Sequence, residues 1–135
     1  MKQHIIAVDF DSTLATYVRP WKYNLLGQPI EPIIKLIRTF YNQGKYIMIF
    51  TGRLETPELA QWLKDTDVPY HAINKQPAHH ELASRFKPYY SLLIDDKAMN
   101  PMRPNGCYKM FHELVYEASG ILEINDKERD EKDKS

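Results

Sequence analysis

Asp9 and Asp11 stand two residues apart in Asp9-Phe10-Asp11-Ser12-Thr13-Leu14, directly after the apolar run of residues 4–8. Such a run reads as a buried strand, so both carboxylates emerge where a strand runs out. In a parallel α/β sheet the carboxyl ends of the strands border the crevice where ligands bind. Other strand exits carry polar groups of a matching kind: Thr51 after residues 46–50 and Asp95-Asp96 after residues 89–94, with Lys75 following the remaining strand of residues 70–73. Carboxylates gathered in one crevice repel one another unless they share a cation. A hard-oxygen site with few protein ligands suits magnesium, which keeps waters and takes the rest of its shell from a phosphate. A threonine hydroxyl and a lysine beside it would complete a phosphate cradle.

The elements that must position these residues alternate between strand-like and helix-like segments. Residues 15–30, rich in aromatic, basic and turn residues, read as a loop or small flap. Pro32 then suits the start of a helix, and Ile33, Ile34, Leu36, Ile37, Phe40 and Tyr41 recur at helical spacing until Gly44 offers a stop. Thr56-Pro57 reads as an N-cap and helix-starting proline before an apolar stripe of Leu59, Ala60, Trp62 and Leu63. A weaker helix is expected over residues 78–86. Met110, Phe111, Leu114, Val115 and Ala118 predict a last amphipathic helix before Gly120, and the charged tail of residues 125–135 reads as solvated and disordered. The pattern predicts one three-layer, Rossmann-like α/β domain over residues 1–124, with a mostly parallel central sheet and no substantial cap.

The 135 residues suffice for one domain with a core. Eighteen basic and eighteen acidic residues give a formal net charge of zero, which offers long nucleic acid or an anionic membrane no overall attraction. The single cysteine, Cys107, excludes an internal disulfide framework and fits a reducing compartment. With no apolar run of signal-peptide or membrane length, the expected location is the cytoplasm.

The residues at the strand exits resemble the haloacid dehalogenase-like hydrolase superfamily. The segment from Asp9 to Leu14 matches that family's first motif, DxDx[TV][LI], in full; Thr51 in Ile49-Phe50-Thr51-Gly52-Arg53 matches the second; Ile94-Asp95-Asp96 matches one form of the acidic fourth. The resemblance implies a magnesium-dependent phosphatase working through an aspartyl-phosphate. Asp9 would be the nucleophile, and Asp11 would protonate the leaving oxygen and then activate water. Magnesium would be held by the Asp9 side chain, the Asp11 backbone carbonyl and Asp95, with Asp96 acting indirectly or through water. Thr51 would hydrogen-bond the transferring phosphoryl group.

The third motif is a lysine. Lys75 and Lys87 both precede the acidic motif; Lys75 follows a strand at its carboxyl end, whereas Lys87 lies before the next strand, roughly 20 Å of extended chain from Asp95. Geometry therefore favours Lys75. Gly52 and Arg53 are candidate substrate contacts, the alternative for Arg53 being a surface ion pair. A nearly capless site suits a large phosphorylated substrate, or a small one enclosed by a second subunit in a homo-oligomer. Arg19, Trp21, Lys22 and Tyr23 in the flap could stack on a base or meet a phosphate, a hint of nucleotide-like substrates. Two alternatives share these residues: a non-catalytic phosphate-binding or regulatory domain, and phosphoryl transfer to an acceptor other than water.

Other residues read as structural. His79-His80 would diverge on a helix; His112-Glu113 begins a zinc-protease pattern that Tyr116 breaks; Cys107 has no evident activating partner.

Overall fold

The computed structural model describes residues 3–19, 21–22, 24–77 and 89–133. Among them run β1 (Ile5–Val8), α1 (Glu31–Asn42), β2 (Tyr46–Ile49), α2 (Pro57–Asp65), β3 (Ala72–Ile73), β4 (Leu92–Ile94) and α3 (Phe111–Asp133). The strands form one sheet in the order β3-β2-β1-β4, with every pairing parallel. Val8 lies opposite both Ile49 and Ile94, so β2, β1 and β4 end level. The expected α/β, Rossmann-like architecture with a parallel central sheet and no large cap is present.

β1 forms the centre because all four of its side chains are apolar and buried on both faces, as a parallel strand covered on both sides requires. On one face Ile6, Val8, Ile47, Ile49 and Ile73 pack in a common core with Ile34 and Ile37 of α1 and Leu59 and Leu63 of α2. Each fully buried side chain of this size contributes roughly 1.5–3 kcal/mol. α2 begins as its sequence predicts, with the Thr56 hydroxyl accepting from the Leu59 N–H and Pro57 in the first turn. After α1 the chain reverses at Gly44, whose φ of +81° suits glycine.

Several boundaries differ from the pattern-based expectation. β3 and β4 are shorter than the apolar runs that mark them, the ladder beginning only at Ala72 and Leu92. α3 does not stop at Gly120 but continues to Asp133, through the segment expected to be a disordered tail. A glycine inside a helix costs only about 1 kcal/mol, and the Glu, Lys and Arg that follow are favourable helix formers. The helix expected over residues 78–86, with His79 and His80, lies outside the described residues. No described helix is long and apolar enough to cross a membrane.

At the open edge beside β3, His71 substitutes for a strand. Its N–H donates to the Ile47 carbonyl at 2.9 Å while its Nδ1 accepts the Ile47 N–H at 2.9 Å. The imidazole stacks on Tyr46, with ring centres 4.7 Å apart.

Candidate active site

The chain leaves β1 into a tight turn. Asp9 N–H extends the ladder to the Ile94 carbonyl, and the Phe10 carbonyl accepts from the N–H groups of Leu14 and Ala15. Ser12 takes the left-handed conformation, φ +64°, and donates its N–H to Ala15. This turn keeps Phe10 fully buried, edge-on against Trp62 at 4.8 Å, and leaves Asp9 at the strand end.

Asp9 meets Asp95 and Asp96 there, each offering an oxygen within 4.8 Å of the others. The cluster follows from topology: β4 is the neighbour of β1, and Ile94 opposite Val8 delivers the next two residues to the same edge. Burial, followed by repulsion from Asp95, pushes the Asp9 carboxyl from its usual 3.8 up to about 7; the Phe10 N–H opposes this, and the hydrogen bond and charge of Asp96 add to it. Asp96, expected to act at one remove, is thus a full member of the trio.

Beside the trio is a cavity of about 220 Å³, bounded by Ser12, Thr13, Asp95 and Asp96 on its polar side and by Ile30, Ile33 and Ile94 on its apolar side. The Thr13 hydroxyl is buried without a hydrogen-bond partner among the described residues. Crowded carboxylates, one of them pushed up by burial and by its neighbours, and a hydroxyl in want of a partner form an all-oxygen donor set. That set fits a hard divalent cation with its waters.

Asp11 does not join the trio. Its carboxylate sits in the fork of Arg53, with Nε to Oδ2 and Nη2 to Oδ1 both 2.8 Å, and Trp21 Nε1 approaches Oδ2 at 3.5 Å. Arg53, expected to meet substrate or to make a surface ion pair, is buried: its side chain is 2% accessible. It also donates to the Lys22 carbonyl at 3.1 Å and the Leu25 carbonyl at 3.2 Å, and lies against the rings of Trp21 and Phe10. An arginine is suited to this position because its planar, always charged fork matches a carboxylate in two bonds. Trp21, expected to be available to a base, is instead occupied by Arg53; Tyr23 lies outside the described residues.

Thr51 follows β2 on the other side of β1. Its hydroxyl accepts the Arg53 N–H at 3.1 Å, and its backbone is bracketed by Asn74, whose side-chain oxygen accepts the Thr51 N–H and whose amide donates to the Thr51 carbonyl, both at 2.8 Å. The sequence pattern assigns Asn74 no role at its strand exit. Its left-handed φ of +54°, which asparagine tolerates better than most residues, is what turns the amide onto Thr51. Gly52 faces open space, where a Cβ would meet nothing within 4 Å. Lys75 is exposed at the end of β3, the edge strand, and its carbonyl accepts from Tyr46. β2 separates it from β1, so the structure does not bring it into the trio. The competing Lys87 lies outside the described residues.

The flap is zipped at its base. Ala15 pairs with Pro29, and Thr16 bonds Gln28 through both its N–H and its hydroxyl. Gly27 is required there: a Cβ would lie 1.9 Å from the Thr16 carbonyl oxygen. Trp62 Nε1 donates to the Gly27 carbonyl at 2.8 Å and anchors the flap to α2.

No protein-family model matches the chain, and no curated protein matches it. Among solved structures it is similar to a conserved protein from Bacteroides thetaiotaomicron, with 24% identity and a TM-score of 0.55 over 86% of this chain and 88% of the other. The likeness is one of fold.

Proposed function

We propose that this chain is a small, nearly capless phosphatase of the haloacid dehalogenase-like type, acting on a phosphate monoester with magnesium as cofactor. The observation that carries the reading is the meeting of Asp9, Asp95 and Asp96 at the carboxyl end of the central strand, where Asp9 opens the DxDx[TV][LI] turn that the sequence displays. Asp9 and Asp95, with the Asp11 backbone carbonyl, would hold the cation, and Asp96 stands close enough to share in it. When bound, magnesium neutralises the repulsion between an anionic nucleophile and a phosphate and fixes the orientation of the group in transfer.

The chain's own residues supply the rest. Asp9 attacks phosphorus through a carboxylate oxygen as the bond from phosphorus to the leaving oxygen breaks. That oxygen takes a proton from Asp11. Asp11, now a carboxylate, removes a proton from water, whose oxygen attacks phosphorus; the bond to Asp9 breaks, releasing phosphate and restoring both aspartates. Thr51 already accepts the Arg53 N–H, which leaves its hydroxyl proton to donate to a phosphoryl oxygen. Lys75 at the end of β3 is the proposed balancing cation, and its long side chain would have to reach past the end of β2 to serve the site. An open site agrees with a large or nucleotide-like substrate, and the lone, exposed Cys107 agrees with a reducing cytoplasm.

The test is phosphate release from a panel of nucleotides, sugar phosphates and an aryl phosphate, with and without magnesium, beside Asp9→Asn. Release is expected to require both magnesium and Asp9. A panel that yields no phosphate, or release that survives Asp9→Asn, refutes the reading.

A further inference from the structure

Arg53 binds two things at once: the carboxylate of Asp11, and the carbonyls of Lys22 and Leu25 at the tip of the flap. The Lys22 carbonyl also closes the tip by accepting from the Leu25 N–H. Trp21 lies over the guanidinium at 4.7 Å and leans a ring nitrogen towards Asp11. A fully buried cation thus serves as the floor on which the flap rests and as the clamp that sets the direction of Asp11. From this geometry we infer that Arg53 is a positioning residue that latches the flap over Asp11, so that seating the flap and aiming the Asp11 carboxylate are a single event.

The inference builds on the reading that Asp11 exchanges protons during phosphoryl transfer, and it assigns the flap a role: access to the site is controlled where Asp11 is aimed. Two features argue against a purely structural ion pair. Arg53 follows Thr51 by two residues in the same turn, and its own N–H is bonded to the Thr51 hydroxyl, so displacement of the latch reaches the phosphoryl-binding group as well. The flap, moreover, is fastened at its base by Thr16 and Gln28 and by Trp62 on Gly27, while the described contacts that fasten its tip converge on Arg53.

The experiment compares the full chain with Arg53→Met, Arg53→Lys and Asp11→Asn. Tryptic cleavage after Lys22, followed by mass spectrometry under native conditions, reads the flap directly. Cleavage is expected to accelerate about tenfold or more in Arg53→Met and to rise in Asp11→Asn, where the pair is broken at its other end. On a substrate found in the panel above, Arg53→Met is expected to lower kcat by about 10²–10⁴-fold, the range of a lost acid–base contribution, with KM and magnesium dependence changed less than about threefold. Arg53→Lys is expected not to restore kcat, because an ammonium cannot make the fork, and it serves as the second variant if the methionine form does not fold. Cleavage at the wild-type rate in every variant, or kcat within about threefold of wild type in Arg53→Met, overturns the latch. If the wild-type chain releases no phosphate at all, the phosphatase reading falls while the cleavage rates alone decide the latch.

Discussion

Replacing Asp9 by asparagine should make the metal-free protein more stable above neutral pH, even as it removes the proposed nucleophile. In the folded chain burial and the neighbouring Asp95 hold the Asp9 carboxyl at about 7 instead of the usual 3.8. The folded value lies above the unfolded one, so the native state holds the proton more tightly. The stability this contributes is complete below about pH 3.8 and is lost as pH rises through 7. Taken in full, the displacement corresponds to roughly 4 kcal/mol, and water that still reaches this half-buried group screens it to roughly 1–2 kcal/mol. Asparagine carries no such cost. In urea unfolding with a chelator present, the stability of Asp9→Asn relative to wild type should therefore rise by roughly 1–2 kcal/mol between pH 4 and pH 8. Magnesium at pH 8 should erase the difference by stabilising wild type alone, because the cation binds the ionised carboxylate and competes with its proton. A relative stability that stays flat across that range, or that magnesium leaves unchanged, would refute the electrostatic account of the trio.

Two further outcomes test the parts around the site. Asn74→Ala removes both hydrogen bonds that bracket Thr51 and places alanine at a left-handed position, so it should cost roughly 1–3 kcal/mol by urea titration and lower kcat beyond what the lost stability explains. Gly27→Ala drives a methyl group into the Thr16 carbonyl; the flap base should open, at roughly 1–3 kcal/mol, with faster hydrogen exchange at the Thr16 and Gln28 amides.

Much of the frame was legible because one kind of information wrote it twice. Apolar runs 5–8 and 46–49 had to be strands buried on both faces, and helical spacing between them required the parallel return that places Asp9 and Thr51 at one edge. Asp95 and Asp96 were legible for the same reason. What escaped was every relation that depends on which way a side chain turns. Arg53 reads in sequence as an exposed cation after a strand, and only a flap folded back across it makes it a buried one. Asn74 reads as a turn residue until its backbone angle shows where the amide goes. The run of α3 past Gly120 escaped because one glycine was weighed more heavily than the helix formers behind it.

His71, which bonds Ile47 through its backbone N–H and through its ring nitrogen, has a consequence for how copies of this chain behave at high concentration. β3 is only two residues long and, among the described residues, leaves the lower half of β2 without a strand beside it; such a row of main-chain donors and acceptors invites pairing with another molecule. At Ile47 the carbonyl is taken by the His71 backbone N–H and the N–H by the His71 ring, which cannot propagate a ladder, and Tyr41 and Tyr46 flank that ring. The side chain acts as a terminator, closing the growing edge of the sheet at the point where an incoming strand would otherwise find its register.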